Sequence, residues 1–504
     1  MATKGTYERI VFGLKMKQLR RTKHLNFTDL ADLTGISISY LNEIEKGKKY
    51  PKGAKVGILA KALGVTESQL ISDELPPQLA PVTELLQSGF LNELPLELFG
   101  IDPSKVVEMI AAAPARVGAF VTTLVDLSRN YAMMREEHFY FGALRAILEM
   151  HNNYFGDIES LSQAFAIEFG LTGERFPAPA RMKEILYGEY GVVIVEDGLA
   201  AYPDLTQMRS VYLPRQKQLL LNSKLTDAQL SFQLAKELGF TYMQLKERAL
   251  TASLLRVNSF EEVINHFKAS YFAASLLLPQ NRCIHDIRDW LDKPTWAEAR
   301  EHLSGMMDRY GASPEMLFQR MTNMLPQFFG LTQMFFLRII HHLERNQFDM
   351  NKDLHLGKKH PPQRTSIEEH YCARWVSVSL LNKLKTLQQT DANASPMLIE
   401  AQRSAFRSTP DEYISLTIAR AAYPAPDRNI SVTLGILVDE SARKYIKFLN
   451  DPAIGVREVN HTCERCAIEN CAERSAPPII YSRRKKRENM SAALDKLLAD
   501  NASK

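Results

Sequence analysis

Residues 30–52, LADLTGISISYLNEIEKGKKYPK, contain two short helical patterns joined by one turn. This local spacing limits the fold of the N-terminus more tightly than any other feature limits the rest of the chain. Gly35 is typical of the residue that follows a helix, and Ser37 is typical of a helix N-cap. Ile38 and Leu41 begin an apolar stripe on the second helix. With helical patterns on both sides, the spacing predicts a helix-turn-helix bundle.

The basic charge of the chain is concentrated in the same N-terminal segment. Residues 1–70 hold thirteen Lys or Arg against six Asp or Glu, a balance of +7. Because the whole chain carries +4, the other 434 residues carry a net charge of −3. A small basic unit favours contact with the phosphate backbone of a nucleic acid. A helical bundle whose basic face meets only water is the alternative explanation.

The stretch quoted above resembles the Cro/repressor-type family. The resemblance includes the pattern I-E-K-G-K-x-x-P at the end of the recognition helix. The resemblance implies that residues 1–75 bind a double-stranded DNA operator, as a homodimer because one helix-turn-helix recognises few base pairs. Where the family often has a Gln that touches DNA, this chain has Phe27. The candidates for contacts with base edges are Ser37, Ser39, Tyr40, Asn42 and Glu43, and those for contacts with phosphates are Lys46, Lys48 and Lys49.

The middle of the chain reads as a helical region followed by a mixed domain. Residues 76–180 are predicted to be a helical linker region, since Pro76, Pro77 and Pro81 mark its start. Residues 181–355 carry two short strand patterns, GVVIVED and RQKQLLLNSKL, ahead of the helical segment TDAQLSFQLAKELGFTYMQL. That order resembles the ImmA/IrrE-type anti-repressor metallopeptidases, and the resemblance implies an α+β middle domain.

The zinc-peptidase motif of that family is missing from the matching helix. H-E-x-x-H binds zinc because two histidines four residues apart share one helical face. Here those two positions are Lys236 and Phe240, and only Glu237, at the general-base position, remains. His266 stands at the aligned third-ligand position. Since a lysine beside a phenylalanine cannot assemble a zinc site, we expect a retained scaffold, no catalytic residues and no enzyme activity.

Residues 360–481 are predicted to form an α+β sensor domain, because DEYISLTIARAAY and ISVTLGILVD alternate as strands do. The segment HTCERCAIENCAERSAPP then places Cys463, Cys466 and Cys471 within nine residues. Close-set thiolates bind zinc or an iron–sulfur cluster, and three of them require a fourth ligand. The candidates for that ligand are Cys283, Cys372, His461 or an exogenous group. We favour Cys372.

The order of the three domains resembles the short-chain fatty acyl transcriptional regulators. The shared details are Cys-x-x-Trp at residues 372–375, DPAIGV, and the cysteine triplet followed by R-x-x-P-P. The resemblance implies a regulator that senses short-chain acyl-CoA or coenzyme A and carries a [4Fe–4S] cluster, with structural zinc as the alternative. The implied ligands are Cys372, Cys463, Cys466 and Cys471. Arg374 and Trp375 are candidates for the ligand pocket or, alternatively, for a surface cation and core packing.

Sequence composition indicates the cellular compartment and the fold class of the chain. No run approaches the ~20 apolar residues of a membrane helix, and the N-terminus lacks a secretory pattern, so we expect no membrane partner. Five cysteines without an export signal favour reduced thiols in the cytoplasm. Residues 482–504 read as a basic tail whose run at 483–487 is expected to stay in water, with binding of DNA or of an anionic nucleotide as the alternative. The chain is thus expected to be multi-domain, mainly α with α+β parts. A DNA-tethered metallopeptidase and an antitoxin-like partner-binding repressor are the alternative functions.

Overall fold

The computed structural model describes residues 4–51, 53–72, 136–172, 177–205, 207–251, 257–356, 369–390, 396–407, 411–424 and 427–502. They belong to two compact units. The first comprises Met1–Ile147 with Asn258–Phe260, and the second comprises Leu148–Val257 with Glu261–Lys504. Within the described ranges, no helix combines the length and the apolar character of a membrane span. Most of the predicted linker region, residues 73–135, lies outside the described residues.

The first unit contains the predicted helix-turn-helix bundle. Its N-terminal helices are α1 Lys4–Thr22, α2 Phe27–Thr34, α3 Ile38–Glu45, α4 Lys55–Leu63 and α5 Glu67–Ile71. Gly35 ends α2 at φ 66°, a left-handed conformation that glycine adopts without steric cost. The Ser37 hydroxyl accepts the N–H of Tyr40 as the N-cap of α3. The bundle core contains Phe12, Met16, Leu30, Ile36, Leu41, Ile44, Leu59 and Leu63. These observations confirm the predicted bundle.

A mainly helical lobe with a small sheet follows. Its strands are β1 Val193–Val195, β2 Ser210–Leu213 and β3 Gln218–Leu221, in the order β1-β3-β2. Strand β3 pairs in parallel with β1 and antiparallel with β2. Helix α6 Glu136–Met150 lies mostly in the first unit. The helices of the lobe are α7 Gly156–Glu168, α8 Pro179–Gly188, α9 Asp227–Tyr242, α10 Phe260–Leu277, α11 Gln280–Leu291, α12 Trp296–Tyr310 and α13 Pro314–Phe329, with a 3₁₀ turn at Pro203–Leu205. The lobe confirms the expected α+β middle domain.

Three helices of this lobe meet at one fully buried ion pair. Arg320 of α13 has no exposed surface and donates to both carboxylate oxygens of Glu159 on α7, over 2.5 and 2.8 Å. The hydroxyl groups of Tyr271 and Ser275 on α10 donate to the same carboxylate over 2.8 and 2.6 Å. Because a buried carboxylate needs all of these partners, the pair ties α7, α10 and α13 together.

The last part of the predicted linker region belongs to this lobe. Helix α7 buries Ile158 and Phe165 in the same core as Leu234 of α9, and α8 adds Leu186. The assignment of residues 76–180 to a linker is therefore wrong for α7 and for the start of α8. Helical periodicity identified an amphipathic segment, but it could not show which distant helices its apolar face meets.

A six-stranded sheet forms the centre of the C-terminal half. Its strands are β4 Met334–His342, β5 Gln347–Leu356, β6 Leu398–Phe406, β7 Glu412–Ala421, β8 Arg428–Leu437 and β9 Val456–Val459, in the order β5-β4-β8-β7-β6-β9. All neighbours are antiparallel except β6 and β9. Strand β4 pairs with β8 along its full length. Strands β4 and β5 therefore belong to the C-terminal sheet, which corrects the predicted domain limits of 181–355 and 360–481.

Both faces of the six-stranded sheet are covered. Phe336 of β4 and Leu434 of β8 face the core of the helical lobe. On the opposite face, Phe335 stacks on Trp375, which precedes α14 Val376–Thr390. The remaining elements are α15 Glu440–Tyr445, a 3₁₀ turn at Lys447–Asn450 and α16 Ile479–Ala502. The predicted tail, residues 482–504, is thus helical as far as residue 502. The whole is mainly α with α+β parts, as expected.

Replacing Gly435 by Ala should destabilise the C-terminal sheet, because an added Cβ would overlap the ring of Phe335. That ring is held between Trp375 and Tyr413, with ring centroids 6.1 and 5.2 Å away. We expect a loss of about 1–3 kcal/mol in the free energy of unfolding, measured by urea denaturation with tryptophan fluorescence. The control is Gly455→Ala, whose Cβ meets nothing within 4 Å. An equal loss in both variants would contradict this packing.

Candidate functional site

The exposed side of α3 and the turn after it carry the residues predicted to contact DNA. Leu41 and Ile44 occupy the opposite, buried side of the helix. The exposed candidates are Ser37, Ser39, Lys46, Lys48 and Lys49, and the half-buried ones are Tyr40, Asn42 and Glu43. The structure therefore brings all eight predicted residues together on one helix and its C-terminal turn.

Two lysine side chains lie next to the ring of Tyr40 on this surface. The Nζ atoms of Lys49 and Lys55 lie 5.6 and 4.4 Å from its ring centroid. Lys49 also pairs with Glu43 at 2.7 Å, and the hydrogen bond and charge of Glu43 raise the pKa of Lys49. Glu43 is thus already engaged by a neighbour. Sequence reasoning missed Lys55, because its contact with Tyr40 joins α4 to α3 across an irregular turn.

Helix α3 is held tightly against α1. The guanidinium of Arg20 donates to both carboxylate oxygens of Glu45, over 2.6 and 3.1 Å. The same group lies 4.3 Å from the ring centroid of Phe27. A Cβ on Gly13 would lie only 2.8 Å from the carbonyl oxygen of Glu45, so the helix crossing needs glycine there. Phe27, which replaces a frequent DNA-contacting Gln, therefore serves to pack Arg20.

In the helical lobe, α9 and α10 bring the positions of the zinc-peptidase motif together with different chemistry. Nζ of Lys236 lies 2.9 Å from Nε2 of His266, and Phe240 occupies the next helical turn. Arg248 donates two hydrogen bonds of 2.7 and 2.6 Å to Glu237. Burial and the charge of Arg248 hold the pKa of Lys236 well below its ordinary value. Burial and the charge of Lys236 do the same to the pKa of His266.

Arg248 fills the space next to Glu237. Its guanidinium lies 3.8 Å from the ring centroid of Phe240 and 4.1 Å from that of Tyr212. The cavity that these side chains line has a volume of about 10 Å³, which is no more than one water molecule needs. A peptide carbonyl therefore has no room beside Glu237.

Cys372, the favoured fourth ligand, lies beside the cysteine triplet in the structure. The N–H of Cys463 donates to the carbonyl of His370 over 2.9 Å, and the N–H of Cys372 donates to the carbonyl of His461 over 3.3 Å. These two hydrogen bonds run in opposite directions between the segments, as in a short antiparallel pair. The backbone alone thus places two of the four predicted ligands next to each other.

Buried carboxylates reinforce this junction. Arg465 donates to both oxygens of Glu369 over 2.7 and 3.0 Å, and the hydroxyl of Thr462 donates to the same group over 2.8 Å. In the other direction, Glu464 accepts the backbone N–H of His370 over 3.0 Å and lies 2.8 Å from Nδ1 of its ring. These contacts join the two cysteine-bearing segments on both sides of the backbone pairing.

All five cysteines are free thiols. Burial raises the pKa of Cys372, and the charges of Cys463 and Cys466 act in the same direction, so these three thiols lie within electrostatic reach. Cys471 is half-buried. In the part of the chain that the structure describes, no three His, Cys, Asp or Glu side chains converge on one ion position. The donor chemistry fits zinc or an iron–sulfur cluster, and binding requires these side chains to turn toward a common point.

The other candidates for the fourth ligand, and the two candidates for the ligand pocket, have different environments. Cys283 is in the core of the helical lobe, where burial raises its pKa to about 12. The ring of His461 packs against Phe406, with centroids 5.4 Å apart. Trp375 is buried in the core beneath α14. Its indole N–H and Nε of the half-buried Arg374 have no hydrogen-bond partner among the described residues.

Replacing Arg248 by Met should leave the buried carboxylate of Glu237 without a counter-ion. Removing one member of a buried ion pair costs about 3–5 kcal/mol of unfolding free energy. The double variant Arg248→Met/Glu237→Gln should recover most of this loss, because a neutral amide needs no counter-ion. Urea denaturation of both variants and of Glu237→Gln measures the coupling. Equal losses in the Arg248→Met variant and the double variant would show that Arg248 contributes only packing.

Two protein-family models match this chain within the regions described above. The family described as Helix-turn-helix matches residues 16–70, and the family described as IrrE N-terminal-like domain matches residues 189–322. The resemblances to the Cro/repressor-type and ImmA/IrrE-type families are thereby confirmed. The second match ends before β4, which agrees with the placement of β4 and β5 in the C-terminal sheet.

Several curated proteins are similar to the chain. The "Propionyl-CoA carboxylase regulator" of Cereibacter sphaeroides is 22% identical over 493 residues, covering 94% of this chain and 95% of the relative. The "HTH-type transcriptional regulator RamB" of Mycobacterium tuberculosis is 22% identical over 500 residues, covering 93% and 94%. The "HTH-type transcriptional regulator PrpR" of the same species is 23% identical over 286 residues, covering 54% and 57%. The chain therefore joins a Cro/repressor-type helix-turn-helix domain to an IrrE-like domain and is similar, along nearly its whole length, to transcriptional regulators.

Proposed function

We propose that this chain is a sequence-specific DNA-binding regulator of transcription in short-chain fatty acid metabolism. The observation that carries the proposal is the exposed start of α3, where Ser37 caps the helix and Ser39 follows on its open side. This is the geometry of a recognition helix whose first turns meet base edges in the major groove. Lys46 and Lys48 at its far end suit phosphates. The relative named as a propionyl-CoA carboxylase regulator supports the metabolic part.

The second unit is the proposed sensor for short-chain acyl-CoA or coenzyme A. A ligand changes DNA binding only if it prefers one conformation of the protein. We propose a [4Fe–4S] cluster on the four cysteines named above, with structural zinc as the alternative for the same donors. When bound, either group supplies a cross-link between the two cysteine-bearing segments, and the cluster adds redox chemistry. The ion pair between Glu369 and Arg465 supports this assignment, because it already holds the segments together.

We propose that two copies bind one operator, since each helix-turn-helix reads half of a symmetric site. Helix α16 supports the dimer. Met490, Leu494 and Leu498 lie four residues apart on one helical face and are 63%, 54% and 59% exposed. An apolar stripe of this kind suits the same stripe of a second copy. The basic run at residues 483–487 precedes the stripe and stays in water.

Peptidase activity is not part of the proposal. Lys236 and Phe240 replace the zinc-binding histidines, and Arg248 occupies the space beside Glu237. The relatives are named as regulators. An antitoxin-like repressor would bind a protein partner and no small ligand. Calorimetry with propionyl-CoA and coenzyme A separates the two, because heat of binding supports the sensor and its absence supports the antitoxin-like repressor.

Selection of duplexes from a random pool by the full-length chain should enrich one dyad-symmetric sequence. Lys46→Gln and Lys48→Gln should weaken binding to that duplex and to unrelated DNA alike, and should each lower the salt dependence by about one ion. Asn42→Ala should instead cost about 1–3 kcal/mol of discrimination at one base position. Fluorescence anisotropy at several salt concentrations measures both effects.

The matched control for the lysine variants is Lys61→Gln, which removes the same charge from the last turn of α4. It should change neither the affinity nor the salt dependence. A pool that yields no enriched sequence would contradict the proposed regulator. Equal effects of all three lysine variants would place the contacting surface outside α3 and its following turn.

Anaerobic purification followed by a visible spectrum and by metal and sulfide analysis tests the cysteine site. Cys463→Ser and Cys372→Ser should each lose the bound metal, because each removes a thiolate donor. Cys283→Ser, which changes a buried thiol in the other core, should keep it. Iron with sulfide supports the cluster, and stoichiometric zinc in a colourless sample replaces it with a zinc site. Full metal retention in Cys372→Ser would remove this residue from the ligand set.

A further inference from the structure

An excess of positive charge lies where the six-stranded sheet faces the helical lobe. Arg338 of β4 and Lys352 of β5 are direct cross-strand partners on that face, and Arg420 of β7 shares it. Arg209 precedes β2, and Glu315 lies in the first turn of α13. Their separations from the Glu315 carboxylate are 2.5 Å for Lys352, 3.6 Å for Arg338 and 3.8 Å for Arg209. We call Arg209, Glu315, Arg338, Lys352 and Arg420 the cationic cluster.

Hydrogen-bond donors outnumber acceptors in the cationic cluster. Only Lys352 is close enough to hydrogen-bond Glu315, since the two arginine separations exceed that range. The Nε atoms of Arg338 and Arg420 are buried and have no hydrogen-bond partner among the described residues. Within the described ranges, Nη1 of Arg420 donates only to the carbonyl of Ala421, at 3.4 Å. Buried guanidinium groups are normally paired, so the cluster is short of an acceptor.

The residues at the zinc-peptidase motif positions add to this excess and do not balance it. Its carboxylate, Glu237, is already paired with Arg248. The charge of Arg209 reaches Lys236, whose pKa is lowered first by burial and then by the charge of Arg248. Burial lowers the pKa of Arg209 and of Arg420, and the charge of Arg338 lowers both further. Four cations therefore share Glu315, and Glu237 is already committed to Arg248.

The cationic cluster is open on one side. The side chains of Arg209 and Lys352 are 25% and 43% exposed, whereas those of Arg338 and Glu315 are 14% and 9% exposed. We propose that the cluster binds the phosphate or carboxylate group of a small anionic ligand between the helical lobe and the six-stranded sheet. Guanidinium groups match both anions, because paired N–H donors meet two oxygens. Its role in sensing rests on the proposed function, whereas anion binding itself does not.

Calorimetry on the full-length chain tests the site with two probes, pyrophosphate and malonate, each against sodium chloride of equal ionic strength. At least one probe should bind once per chain, and the tighter one identifies the anion class. Arg338→Gln and Arg420→Gln should each weaken binding at least about tenfold, because each removes a charge-assisted donor. The matched control is Arg407→Gln, which is half-exposed and pairs with Glu458 at 3.1 Å. It should bind as the unchanged chain does.

Thermal denaturation without ligand gives a second readout. Arg420→Gln should raise the midpoint, because it relieves repulsion from Arg209 and Arg338 while Glu315 keeps its closest partner.

The proposal would be overturned if neither probe binds. It would also be overturned by binding that both cluster variants leave unchanged, which is the result if the anions occupy only the helix-turn-helix lysines. A lowered midpoint with unchanged binding would show a purely structural cluster. No DNA is present, so failure here is distinguishable from failure of operator binding.

Discussion

The buried pair of Arg320 and Glu159 is the interaction on which the second unit depends. A guanidinium without exposed surface must satisfy its donors internally, and Nε of Arg320 does so at the carbonyl of Leu278 over 2.9 Å. Since the remaining donors bind Glu159, the positions of α7, α10 and α13 are fixed together. Helix α13 leads directly into β4 and packs against β4 and β8. The same pair therefore sets where the six-stranded sheet meets the lobe.

Features encoded by neighbouring residues could be predicted from the sequence. Gly35 and Ser37 define the turn between α2 and α3 through their own backbone preferences, so the helix-turn-helix needed no distant contact. Strands β4 and β5 escaped prediction for the opposite reason. The segment MFFLRIIHH is nearly continuous in apolar residues, and only its pairing with β8, far along the chain, shows that it is a central strand.

The candidate sites also contain features set by neighbouring residues, which could be predicted, and features set by distant contacts, which could not. The chemistry of three close thiols required a fourth ligand and Cys372 was favoured among four candidates, but the backbone pairing that sets it beside Cys463 is a long-range contact. Arg248 gave no sequence signal, because a single arginine in the polar run QLKERALTAS reads as a solvated loop residue. The cationic cluster joins residues from five separate segments of the chain, and a one-dimensional pattern does not bring them together.

Arg248 also means that restoring the two histidines of the zinc-peptidase motif would not by itself restore the chemistry of that motif. Histidines at positions 236 and 240 would supply two imidazoles, yet the guanidinium would still occupy the space beside Glu237 and repel an arriving cation. Removing the guanidinium first would leave the buried carboxylate of Glu237 without a counter-ion in the interior of the lobe. Each single step back toward hydrolysis thus passes through a less stable or still inactive protein. The arginine therefore keeps Glu237 paired and the space beside it filled, whatever residues stand at positions 236 and 240.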